Sequence, residues 1–423
     1  TGTNKLKMTS TLTASNSDGA IRPIGIFYGT GSTKNEANID MLSTSKELIG
    51  IYGKDSSSFE NLGTIEVNPK SSMGAYFTNS NITNKAITTV NGEKSYGWYL
   101  KGGNSSTTAK IKALAKNSVA VLLTGKGFTG TTSFENQSGV EILANADKAI
   151  GIYAEEGAKY TNKGILNSLN ATSIGGFAVN ATLVNDTNAT VNSKYVALYG
   201  KTSSTIENSG TININANNKT AVIADTGTTV NLKAGKITSA NDNVTGIVAD
   251  NKSVVNLLGG NIELGKDAIG INSTNNSTVN LTDGNIQVGE KGLGVYTKDG
   301  TVNLISYIGK FILGKSGIGI YSKDSTVNGG TLKVDYNHND LGVGIYYDGG
   351  TVTNSTTVSH TGQKLVNIFS NASILTNTAN QEVQTESIGI YAKGGVVANN
   401  STIKLTGDNV VGIYLNDNSK LNE

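Results

Sequence analysis

One short pattern recurs along the whole chain of 423 residues: aliphatic, Gly, aliphatic, aromatic. It reads IGIY at 49–52, 150–153, 318–321 and 388–391, and VGIY at 343–346 and 411–414. With looser versions such as MGAY at 73–76 and VNIF at 366–369, 17 copies are marked by their glycine position, from 25 to 412. Fifteen of the 16 intervals measure 22–25 residues, and the one from 120 to 151 measures 31. A period this regular dictates an array of like units, each stacked on its neighbours.

Two further columns follow in each copy. About ten residues after the marker comes an apolar residue and then Asn, directly or after one intervening residue, as in SFEN (58–61), TIEN (205–208) and TVN (278–280, 301–303, 326–328). Gly-x-aliphatic-x-aliphatic then closes many copies, as in GTIEV (63–67) and GNIEL (260–264). Alternation with β-branched residues reads as strand, and the Gly, Asn, Asp and Ser between runs supply turns. Three short strands per 24 residues are too few for a propeller blade of about 40–45 residues. Ile and Val dominate where leucine-rich repeats would place Leu. The expected fold is all-β: one right-handed parallel β-helix over 1–423, about 17 rungs with three short strands each.

Alternation also predicts the faces. In IGIY both aliphatics are expected inside, so Ile150 with Ile152, and Ile318 with Ile320, stack as buried ladders. Gly151 and Tyr153 would share the outer face, where a tyrosine column that includes Tyr321 covers its glycines. Asn280, Asn303 and Asn328 are expected to form a structural amide ladder at a turn. Trp98 falls in an inward column.

At these residues a resemblance enters. IGIYAEEGAKYTNKG (150–164) and IGIYSKDSTVNGG (318–330) look like repeats in the long passenger domains of fusobacterial type V autotransporter adhesins, and the likeness covers the whole chain. It implies a chain exported across both membranes and displayed on the outer-membrane surface of a bacterium. Such passengers attach to other bacteria and to host cells, in some cases through surface sugars. Neither a signal peptide nor a C-terminal barrel is evident, so the expectation is an internal passenger fragment, a stiff stalk with limited recognition loops. Surface proteins or glycans of other cells would be the partners, and the missing barrel the membrane attachment.

Composition narrows the other classes. Lys+Arg 34 against Asp+Glu 32 gives a net charge of +2, which offers nucleic acid no field to follow. No Cys and only two His make a Cys/His zinc site implausible, and no metal or cofactor is expected. No apolar run approaches the ~18 residues of a membrane span. The alternative reading is a β-helix carbohydrate-active enzyme, a polysaccharide lyase or hydrolase. Its lyase base would be an Arg on a middle rung, yet the only Arg, Arg22, stands before Pro23 in the first. Hydrolysis needs carboxylates about 5–9 Å apart, and no strand carries such a pair. The absence of a flat Thr-x-Thr array weighs against ice binding. Matches to N-x-S/T, such as Asn170 and Asn180, follow from composition.

Asp299, Asp324 and Asp348 share one corner of consecutive rungs, as Asp225 and Asp250 do earlier. Stacked carboxylates could take Ca²⁺, but Asp is an ordinary turn former, and Lys298 and Lys323 sit beside two of them. His338 and His360 are read as exposed loop residues. A regular rod repeats one surface, so irregular rungs are the places to look for recognition. The long interval puts an extra segment, TGKGFTGTT, at 124–132, where Lys126 and Phe128 supply a charge and an exposed aromatic. DYNHNDLG at 335–342 is a smaller departure, with Tyr336 and His338 as candidate contacts.

Overall fold

A computed structural model describes residues 24–41 and 47–422; Arg22 and Pro23 lie outside them. Every regular element among these residues is a strand, wound as a right-handed parallel β-helix of about 16 turns with three strands per turn. Seventeen sequence markers thus bound sixteen turns. The chain groups into two compact units, Thr1–Ile214 and Asn215–Glu423, each built the same way.

A rung of the first unit shows the plan. Its strands are Ile150–Glu155, Lys159–Asn162 and Ile165–Ser168, with Glu156 and Gly157 both at positive φ in the first corner. Each strand pairs in parallel with its counterpart one rung on: Tyr153 beside Phe177, Asn162 beside Asn185, Leu166 beside Val191. Ile152, Ala154, Tyr160 and Leu166 point inward and are buried, as are Ile320, Val327 and Leu332 in the second unit. Each large aliphatic so buried contributes about 1.5–3 kcal/mol, which lets a thin solenoid hold without a globular core. Trp98 takes the inward column as expected, stacked on Phe77 at 6.1 Å, and donates its indole N–H to Thr88 Oγ1.

The marker motif differs from simple alternation. Ile150 and Ile318 are only half-buried, whereas Gly151 with Ile152, and Gly319 with Ile320, face inward in succession. The strand starts at a corner, where the chain turns through Gly so that two consecutive residues face the core. A Cβ at Gly151 would stand 2.8 Å from Leu166 Cδ1, inside the barrel. The glycine therefore makes room for the third strand, and the tyrosine column does not cover it.

The Asn column is two ladders of opposite facing. Where one residue separates Asn from the apolar position, both face inward: Asn162 donates to Asn185 at 2.7 Å and Asn185 to Asn208 at 2.7 Å, all three buried. Where none does, Asn falls on the outer face: Asn280 donates to Asn256, Asn303 to Asn280 and Asn328 to Asn303, at 2.7–2.8 Å, and these amides are half-buried. In the copy without Asn, Thr107 takes over as acceptor from Asn84 at 3.1 Å.

Candidate functional site

The long interval becomes a loop between the strands Val119–Thr124 and Thr132–Asn136. Thr124 and Thr132 are buried strand ends, so the protruding part is 125–131. It is pinned rather than loose. Phe128 N–H donates to Gly125 O at 3.0 Å, and Thr131 Oγ1 donates to Asn104 Oδ1 at 3.0 Å on the preceding rung. Lys126 is exposed. Phe128, expected to project, is half-buried: its ring lies on Gly102, where a Cβ would come within 2.7 Å of it. Lys101 Nζ stands 5.6 Å from the ring centroid, within reach of a cation–π contact.

Beside this ring lies a cavity of about 460 Å³, lined by Asn79, Gly103, Asn104 and residues 127–131. The polar lining is two amides and two Thr hydroxyls, with no carboxylate, imidazole or ammonium. It offers hydrogen bonds and an aromatic edge, but no group to act as general acid or base near neutral pH. Asn79 and Asn104 come from the neighbouring rungs. Nothing local in the sequence distinguishes them; only the loop folding back over Asn104 one rung before it and Asn79 two rungs before it brings them in.

The other departure lies in the second unit and is not a loop. A strand, Thr331–Asp348, runs through DYNHNDLG, and its pairing shifts so that Asn337 opposes Gln363 while Gly342 opposes Leu365. Residues 338–341 form the bulge. Tyr336 is buried, 1% exposed, and donates its hydroxyl to Asp340 O at 2.7 Å, so it is unavailable as a surface contact. His338 is half-buried with its ring edge-on to Tyr336 at 5.1 Å. His360, expected on the surface, is buried at an inward strand position opposite Val334. Burial pushes its imidazole down to about 4, against a smaller upward pull from Glu382.

The aromatic column behaves differently from a binding stripe. From Tyr296 through Tyr321, Tyr346, Phe369 and Tyr391 to Tyr414 the rings stack at 4.7–5.4 Å with interplanar angles of 6–22°. Each interior ring has its faces closed by its neighbours. A ligand that must lie flat on an aromatic face finds none open within the run. Burial, then a hydrogen bond from its hydroxyl to Asp348 Oδ2 at 2.8 Å, pushes the Tyr321 phenol well up.

The acidic corners serve turn and ladder geometry. Asp299 and Asp324 share a corner with left-handed φ of 53° and 47°, but Asp348 does not join them: it ends a strand opposite Lys323 and accepts from Asn371, as Asp225 does from Asn251 one rung on, both at 2.8 Å. Elsewhere carboxylates meet lysines of adjacent rungs, as in Lys34–Glu60 at 2.7 Å and Lys315–Asp340 at 3.2 Å. Among the described residues no group of three or more His, Asp or Glu is placed to hold a metal ion, and no helix is long and apolar enough to cross a membrane. No protein-family model and no curated protein sequence matches the chain.

Proposed function

We propose that this chain is part of a bacterial surface adhesin of the autotransporter passenger type, a solenoid that holds recognition loops away from the cell and attaches to the surfaces of other bacteria or host cells. The observation that carries this reading is the cavity beside the 125–131 loop, whose lining of amides, hydroxyls and one phenyl ring suits binding and lacks a titratable group for catalysis. It sits at the one long interval of a chain whose other intervals repeat a single outline. Regular rungs with carboxylates partnered by lysines across rungs fit a stalk.

Attachment of the immobilised chain to bacterial and mammalian cells tests it, compared with a variant in which residues 125–131 are replaced by a two-residue corner like Glu156–Gly157 of the next rung. Loop shortening between intact strands costs little, so the variant is expected to melt as the parent does and to lose attachment. Equal attachment by the folded variant contradicts the role of the loop. Attachment by neither protein contradicts adhesion by this chain.

A further inference from the structure

In the second unit the third-strand ladder is interrupted. Thr331–Asn337 pairs in register with Thr357–Gln363, but the next third strand, Gln381–Val383, pairs only with Ile403–Leu405 among the described residues. Side chains fill the gap between 356–361 and 381–384. Val358 N–H donates to Gln381 Oε1 at 3.1 Å, and Gln381 Nε2 returns a bond to Thr356 O at 3.0 Å. Asn367 Nδ2 reaches both sides, to Val358 O at 3.3 Å and Glu382 O at 3.0 Å. Gln384 N–H donates to His360 Nε2 at 3.3 Å.

The cause is visible in the sequence order. Asn367 occupies the inward corner position that is Gly344 on the rung before and Gly389 on the rung after. A Cβ on Gly344 would lie 2.8 Å from Val358 Cγ1, and the other copies carry nothing larger than Ala at this position, as at Ala120, Ala197 and Ala221. An amide placed there is accommodated by parting the third strands, and it then bridges them. The repair is incomplete. His360 Nδ1, Asn367 Oδ1 and Ser370 Oγ, all on this rung, are buried without hydrogen-bond partners. Unpaired buried polar groups are costly, so this seam is a weak step of the third-strand ladder.

We propose that the seam is an acid-operated opening point: protonation of His360 at Nε2 removes the acceptor for Gln384 N–H, and the segments 356–361 and 381–384 separate while the flanking rungs stay paired. A neutral imidazole can accept at Nε2; an imidazolium has donors on both nitrogens and would face the Gln384 N–H with a like dipole. Burial already disfavours its charged form. The charged groups around it do not offset this. Glu382 on the following third strand is engaged by Lys404 at 3.6 Å. Asp335, beside Val334 on the preceding one, is held by Lys310 and accepts from Thr361. Lys333 reaches the Ile308 carbonyl, and Lys364 pairs with Glu386 at 3.3 Å in the adjoining turn.

The sign follows from linkage. A histidine near 4 when the seam is closed and near 6.5 when it is open binds its proton only on opening, so closure is fully favoured above 6.5 and weakens as pH falls toward 4. At pH 5 that difference corresponds to about thirtyfold more opening than at pH 7.5. Hydrogen exchange read by mass spectrometry on the full chain tests this, with rates corrected for intrinsic pH dependence. Peptides over 356–361 and 381–384 are expected to exchange on the order of tenfold or more faster at pH 5, and peptides over 286–313 to change little. His360→Gln keeps a neutral acceptor and is expected to abolish the acid response. Corrected rates unchanged in the wild type, or an acid response that persists in the folded His360→Gln variant, overturns the proposal. Should that variant fail to fold, exchange at the imidazole carbons of the wild type decides: a His360 pKa well below the ordinary 6.5 supports the seam, and an ordinary value refutes it.

Discussion

Gly151 lies so close to Gly175 of the next rung that a Cβ on it would stand 2.6 Å from the Gly175 carbonyl oxygen. The same approach recurs between Gly319 and Gly344, again at 2.6 Å. Gly151→Ala is therefore expected to cost about 1–3 kcal/mol through overpacking. Gly130→Ala, where no atom lies within 4 Å, is the control and should melt as the parent does. Thermal or denaturant melts of the two variants check the pair.

The corner geometry separates residues that alternation would treat alike. Ile152→Asp buries an unpaired carboxylate on the core face and should unfold the first unit or lower its stability severely, and Ile320→Asp should do the same in the second. Ile150→Asp, at a half-buried outward position, should be tolerated far better. Limited proteolysis of the three proteins distinguishes them; equal loss from Ile150→Asp and Ile152→Asp would show that the corner assignment is wrong.

The two facings of the Asn ladder predict two magnitudes. Asn185→Ala breaks a buried chain of amides and leaves Asn162 Nδ2 with only its bond to Thr190 O, at a cost of about 1–3 kcal/mol. Asn280→Ala interrupts the outer ladder, where water can replace the lost bond, and should cost about 1 kcal/mol or less. Chemical denaturation measures both.

Tyr160 in the first unit is buried and donates its hydroxyl to Asn136 Oδ1 at 2.8 Å. Burial pushes its phenol well above the ordinary 10.0. A group raised on folding supports the fold fully below its unfolded value and loses that support as pH rises through the folded one. Ultraviolet titration should thus show the phenolate of Tyr160 only with alkaline unfolding. Tyr160→Phe should remove that component and cost about 0.5–1.5 kcal/mol at neutral pH.

The period made the architecture legible because each rung repeats the same burial problem. Ile152, Ile320 and Trp98 could be placed inward from spacing alone, and parity also explains why Asn280 faces out and Asn185 faces in. What alternation could not convey is a corner. Ile150 is turned outward by a change of chain direction, which has no period. Tyr336 and His360 depart from expectation for a related reason: the polar residues around each read as loop, but both lie on long strands, Thr331–Asp348 and Thr357–Asn377, and the bulge in the first lies at 338–341. Asn79 and Asn104 reach the candidate site only through a loop that folds back across rungs. The one usable sign of the seam is Asn367, a side chain standing where every other copy of the motif has Gly or Ala.

Attachment by a Phe128→Ala variant tests the functional account most directly. The ring rests on Gly102 and walls the cavity, and aromatic anchors often carry most of a binding energy. Cell attachment by the parent, by Phe128→Ala and by Tyr346→Ala, whose ring lies inside the closed stack, should be measured with melting curves confirming that all three are folded. The account predicts a loss of about tenfold or more for Phe128→Ala and little change for Tyr346→Ala. Full attachment by a folded Phe128→Ala protein, or a loss confined to Tyr346→Ala, would contradict it.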